Sequence, residues 1–128
     1  MDAAVINGDS ILTSTKKLLG IESTYNSFDT DIIIHINTVL SSLVQMGVGP
    51  STGFAIEGVS EKWSDFIGST SVLTQQVKSY VYIKVKMLFD PPANGNLLDA
   101  LKENAKEMEF RLFVQTDPIP VVEVVEEE

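Results

Sequence analysis

The chain has no cysteine and a single histidine in its 128 residues. Without cysteine there is neither a disulfide framework nor a thiol nucleophile, which is compatible with a reducing cytoplasm. One histidine leaves any metal site to scattered carboxylates, whereas a structural or catalytic zinc needs several nitrogen or sulfur ligands at set spacing. That histidine, His35, has Asp31 one helical turn before it. A dyad there is conceivable, but a helix-surface histidine is the plainer reading. Apolar runs long enough for a bilayer are also missing, since a span needs about 18 residues. The longest candidate, Ile32 to Val44, is interrupted by His35, Asn37, Thr38, Ser41 and Ser42. The opening "MDAAVINGDS" lacks the basic region and apolar stretch of a secretory signal. Bases are scarce, nine Lys and Arg against eighteen Asp and Glu, for a net charge of −9. Such a chain does not hold nucleic acid by phosphate neutralisation, which needs clustered Lys and Arg. "GVGPSTG" lacks the lysine and following helix of a phosphate loop. No nucleophile elbow and no repeat of twenty to fifty residues are present.

What the sequence does have is apolar periodicity. Hydrophobic residues make up 44% of a chain whose length suits one domain with a sizeable core. Four stretches carry a helical pattern. "DSILTSTKKLLG" offers Asp9 or Ser10 as cap, Ile11, Leu12, Thr15, Leu18 and Leu19 on one face, and Gly20 as stop. The second helix runs from about Asp31 to Met46, capped by Asp29 or Thr30, with Ile32, Ile33, Ile36, Val39, Leu40, Leu43 and Val44 as its stripe. Ile34 points away from that stripe. The fourth begins with Asn96 as cap and runs to about Phe113, with Leu97, Leu98, Leu101, Ala105, Met108 and Leu112 inward and Phe110 and Phe113 off the stripe.

The third stretch, "VKSYVYIKVKMLFDPP", alternates like a strand and also reads as a helix. Ser71 to Phe89 gives nineteen residues without Gly or Pro. Strands usually run about five or six residues. At about 100° per residue, Leu73, Val77, Tyr80, Val81, Val85, Met87 and Leu88 share one arc. The β-branched residues cost only about 0.5 kcal/mol each in helix propensity, which packing overrides. Pro91-Pro92 ends the element. The spacing therefore predicts a helix.

Between the second and third helices the pattern collapses. "GVGPSTGFAIEGVSEKWSDFIGSTS" holds five glycines and a proline, and reads as an extended loop or hairpin. Phe54 to Ile56 is a candidate short strand, and "SEKWSDFIG" one or two helical turns. A loop of this length is uncommon in a small domain without a task. The fold expected is mainly α: a four-helix bundle with a long loop or short hairpin between helices 2 and 3 and an extended C-terminal tail. Residues 1–113 form the helical domain with an insertion at 47–70, and residues 114–128 an acidic arm.

In this order, "ILTSTKKLLGI", "FDTDIIIHINTVLSSLVQMGVGP", "FAIEG", "KWSDFIG", "VKSYVYIKVKMLFDPP" and "LLDALKENAKEMEFRL" resemble the small head–tail connector (adaptor) proteins of tailed double-stranded DNA bacteriophages. The resemblance covers roughly residues 10 to 112 and leaves the acidic tail outside. It implies a structural virion protein of the neck, assembled in the host cytoplasm, with no enzymatic activity and no cofactor. It also implies a dodecameric homo-oligomeric ring beneath the portal protein, which extends the DNA tunnel and docks a stopper or tail-completion protein. DNA would pass through the lumen without specific binding, and no membrane is involved. The competing expectation is a small helical interaction module or assembly chaperone that forms no ring.

Several residues stand out as candidate contacts. Phe110 and Phe113 off the fourth stripe, with Val114, Ile119, Val121, Val122, Val124 and Val125 after it, are candidates for binding portal or a neighbouring subunit. Valines among five acids make the tail either a solvating extension or a strand ordered by another chain. In the family arrangement the loop faces the tail side, so Phe54, Ile56, Trp63 and Phe66 are its candidate apolar anchors. Lys84, within the third helix's apolar arc, either snorkels or forms an intersubunit or interhelix salt bridge. Tyr82, like Tyr80, suits core or interface, and Ile34 joins Lys84 and Tyr82 as a candidate intersubunit contact. The five acids from Asp117 onward leave −4 for residues 1–116. An acidic balance either repels DNA sliding through a tunnel or only keeps the protein soluble.

Overall fold

A computed structural model describes residues 10–68 and 71–116. Within them the chain is helical, with no strand: α1 (Ile11–Leu19), α2 (Asp29–Gln45), α3 (Trp63–Ile67), α4 (Ser71–Phe89) and α5 (Gly95–Thr116). The mainly helical bundle expected from periodicity is what forms. The short α3 lies inside the predicted loop, where one or two helical turns were allowed; Phe54 to Ile56 makes no strand.

Local chemistry sets the ends. Ser10 caps α1, its Oγ accepting from the Thr13 N–H at 3.2 Å. Gly20, at φ 86°, closes it in the left-handed region where a side chain would be strained. The start of α2 departs from expectation. Phe28 is the capping residue and makes no side-chain bond, while Asp29 and Thr30 are already helical. Asp29 is used elsewhere: its carboxylate lies 2.8 Å from the Lys16 ammonium. In the first turn it also meets the positive end of the helix dipole. α4 spans the predicted nineteen residues. For α5 the cap is Asn94 rather than Asn96, since Asn94 Oδ1 accepts from the N–H groups of Asn96 (2.8 Å) and Leu97 (3.2 Å). The helix continues to Thr116, so Val114 is helical and not the start of an extended arm.

α4 is the central helix, packed against all four others. Val77, Tyr80, Val81, Ile83 and Val85 are its buried side chains, while Leu88, expected inside, is exposed. The core adds Ile11 and Leu12 of α1, and Ile32, Ile36, Val39, Leu40 and Leu43 of α2. Each such side chain contributes about 1.5–3 kcal/mol on leaving water. α5 packs chiefly on α4. It buries only Ala105 and Leu112 fully; Leu98, Leu101 and Met108 are half-buried, and Leu97 is exposed despite its place in the predicted stripe. An edge helix with one neighbour has one narrow inward line, and the first turn of α5 lies outside it.

Candidate docking surfaces

The segment between α2 and α3 is held from several directions. The Asn37 side chain spans the backbone of Ile56, accepting from its N–H at 2.7 Å and donating to its carbonyl at 3.1 Å. Glu61 accepts from the N–H groups of Glu57 (2.9 Å) and Gly58 (3.3 Å). The Ile11 N–H donates to the Glu61 carbonyl at 3.0 Å, and Ser10 bridges Lys62. Trp63 Nε1 donates to Ser14 Oγ at 2.8 Å, with the Lys78 ammonium 6.0 Å from its ring centre. Gly49, at φ 93°, lets the backbone pass so close to Phe66 that an added Cβ would sit 2.5 Å from the ring. Ile56, Trp63 and Phe66 are thus core residues, and Phe54 is half-buried with its ring 5.2 Å from that of Phe66. Expected as anchors for a partner, these side chains anchor the segment to its own bundle. What the segment presents outward includes Ser51, Thr52, Gly53, Ala55, Glu57, Val59 and Ser60.

Further polar contacts join helices. Tyr80 O–H donates to Glu109 Oε2 at 2.7 Å, and the Lys84 ammonium lies 3.7 Å from the same oxygen and 5.9 Å from the Tyr80 ring centre. Burial first, then that hydrogen bond and the Glu109 charge, push the Tyr80 phenol well above its ordinary range. Lys84, a third exposed, engages Glu109 across α4 and α5 within the chain. Tyr82 is half-buried on α4. At the end of α1, Lys16 is 2% exposed; its ammonium meets Asp29 and donates to the Ser23 carbonyl at 3.3 Å, which closes the turn into α2.

The remaining candidates lie on the surface. Phe110 is 66% exposed on α5, with Phe113 and Val114 beside it, and Ile34 is exposed on α2. Ile119, Val121, Val122, Val124 and Val125 lie outside the described residues. His35 is half-buried against Phe89, their ring centres 6.3 Å apart, and Phe89 meets Phe28 at 5.4 Å. Among the described residues no group of three or more His, Asp or Glu could hold a metal ion, and no helix is long and apolar enough to cross a membrane. Sequence reasoning missed Asn37, Asp29 and Glu109 as fastening residues. Their partners are 19, 13 and 29 residues away, and no short-range pattern signals such pairs.

The fold is thus a helical bundle fastened by its own loop, with apolar side chains exposed on its edge helix. The chain belongs to the phage connector protein family, whose family model matches residues 11–118 and so spans all five helices. That family is one of structural phage proteins, which makes this chain a component of the virion. Comparison with curated proteins and with solved structures gave no match.

Proposed function

We propose that the protein is a subunit of a closed, dodecameric ring lying beneath the portal at one capsid vertex. The ring extends the tunnel through which DNA leaves the head and provides the platform for a stopper or tail-completion protein. Membership of the connector family across all five helices carries this reading. Two features support it. The excess of carboxylates gives a lumen that repels phosphate, so DNA slides through without being held. The segment from Asp117 to Glu128 combines Ile119, Val121, Val122, Val124 and Val125 with two prolines that limit the entropy lost on ordering. It attaches the ring by laying its apolar side chains on the portal. The outward residues of the loop, between the fastening points of Asn37 and Trp63, face the next ring.

Co-sedimentation with portal-bearing capsids tests the assignment, together with electron microscopy of the decorated vertex. The full chain should sediment with capsids and add a ring below the portal. A chain ending at Thr116 should keep its helical circular dichroism and melting temperature yet fail to attach. Full attachment by the shortened chain returns residues 117–128 to the role of a solubility extension. Failure of the full chain to bind capsids or enter virions overturns the ring assignment in favour of a module that assists assembly without forming a ring.

A further inference from the structure

α2, α4 and α5 lie side by side with α4 in the middle: it packs on both, and α2 and α5 share no substantial contact. Tyr80 and Lys84 meet α5 through Glu109, and Phe89 meets α2 through His35. At about 100° per residue, Tyr80 and Phe89 point from opposite sides of α4. The layer therefore has two free edges, and they differ in character.

Beyond Asp31 in its first turn, the α2 edge is neutral. Ile34, Thr38, Ser41, Ser42 and Gln45 form a nearly flat exposed face that Asn37 borders. From Ile32 to Ile56 the chain has no Asp, Glu, Lys or Arg, although 21% of its residues are charged. The α5 edge begins charged, with Asp99, Glu103, Lys106 and Glu107 outward, and its last turns expose Phe110, Phe113 and Val114 beside Arg111, whose charge is paired with Glu107 at 3.0 Å. Copies carrying −9 each repel one another. They approach closely only where little charge must be desolvated, and interface centres are accordingly depleted of charged residues and enriched in aromatics. A solvated helix face has no reason to drop every charge, and a solvated α5 has none to end in two exposed phenylalanines.

We infer that the last turns of α5, around Phe110 and Val114, pack on the neutral α2 face of a second copy of this chain. Within one chain the contact is barred because α4 stands between the two helices. The two edges are unlike, so the contact is heterologous: each copy gives its α5 edge to one neighbour and its α2 edge to the other, the type of contact from which a ring closes when the rotation between copies is right. The inference rests on the ring reading in one respect, that copies of the chain meet one another, and it assigns the surfaces that do so.

The chain's lack of cysteine makes the test clean. Single-cysteine variants are prepared at Thr38→Cys, Ser41→Cys and Gln45→Cys on one edge and Val114→Cys on the other, all at exposed positions. They are mixed pairwise, free and on portal-bearing capsids, and treated with a short bis-maleimide. A covalent dimer should form when an α2 variant meets Val114→Cys and not when either is alone; a chain carrying both changes should give a ladder of multimers. Adding Phe110→Asp should abolish the cross-link while leaving the melting temperature within about 2 °C, as expected for a surface substitution. Dimers of an α2 variant with itself, or absence of the mixed product in both settings, overturn the inference. Capsid binding without the mixed cross-link removes this interface and leaves the ring reading standing. The cross-link without capsid binding does the reverse.

Discussion

Replacing Asn37 with alanine removes two hydrogen bonds that hold the α2–α3 connection against the bundle. Ile56 N–H donates to Asn37 Oδ1 at 2.7 Å and Asn37 Nδ2 donates to the Ile56 carbonyl at 3.1 Å. Each such bond contributes about 0.5–1.5 kcal/mol net, so the variant should lose about 1–3 kcal/mol. The site is part-buried, and entering water recovers part of the cost, which places the value toward the middle of that range. For a chain of this size the melting temperature should fall by about 4–12 °C. Asn37→Asp should be no better, because a carboxylate keeps the acceptor for the Ile56 N–H but sets a second negative oxygen against the Ile56 carbonyl. Thermal circular dichroism measures the loss, and hydrogen exchange at the Ile56 amide locates it. That amide should exchange faster in both variants, while amides within α4 change only as far as global stability does. A melting temperature within a degree of wild type, with the Ile56 amide still protected, would show that the segment is held without Asn37.

Other perturbations follow from the same contacts. Asp29→Ala leaves the buried Lys16 ammonium without its carboxylate and should cost about 3 kcal/mol, the lower end for a broken buried pair, because Asp29 keeps 27% of its side chain in water. Lys16→Met should cost less, since Asp29 can resolvate; the opposite order in urea unfolding refutes this account. Gly49→Ala should destabilise by more than the roughly 1–2 kcal/mol of a left-handed alanine, because its Cβ must also displace the buried Phe66 ring; a stable variant would mean the ring moves freely. Tyr80 has its folded phenol pKa raised by burial and by Glu109, so the folded state holds that proton more tightly than the unfolded chain. Its contribution is full below about pH 10, the unfolded value, and is lost as pH rises beyond it toward the folded pKa. Tyr80→Phe should flatten that alkaline fall in stability, and an unchanged slope would refute the assignment. Leu112→Ala, at a fully buried site, should cost about 2–5 kcal/mol, and Leu101→Ala less because Leu101 is half-buried; equal melting shifts would place the inward line of α5 elsewhere.

The long helices are legible in the chain's one-dimensional pattern, because the interactions that make them reach only three or four residues along it. Ser10 before an apolar repeat, Gly20 after it, and nineteen residues without Gly or Pro from Ser71 to Phe89 before Pro91-Pro92 are all readable in one dimension. The same is true of Phe110, Phe113 and Ile34, whose place off the stripe follows from helical spacing, and which the structure leaves exposed. Where two local rules competed, the sequence was undecided. Asp29 has the chemistry of a cap, but its pairing with Lys16, thirteen residues earlier, draws it into the first turn of α2. Which apolar residues of the loop belong to the core depends on contacts made in three dimensions. Ile56, Trp63 and Phe66 sit among glycines and hydroxyls with no period to reveal an inward face, and what buries them is Asn37, Ser14 and α4, brought near by folding. It likewise exposed Leu97 and Leu88, because a helix's apolar stripe is covered only as far as its neighbours extend, and neighbours are chosen by the packing of distant segments rather than by spacing along one of them.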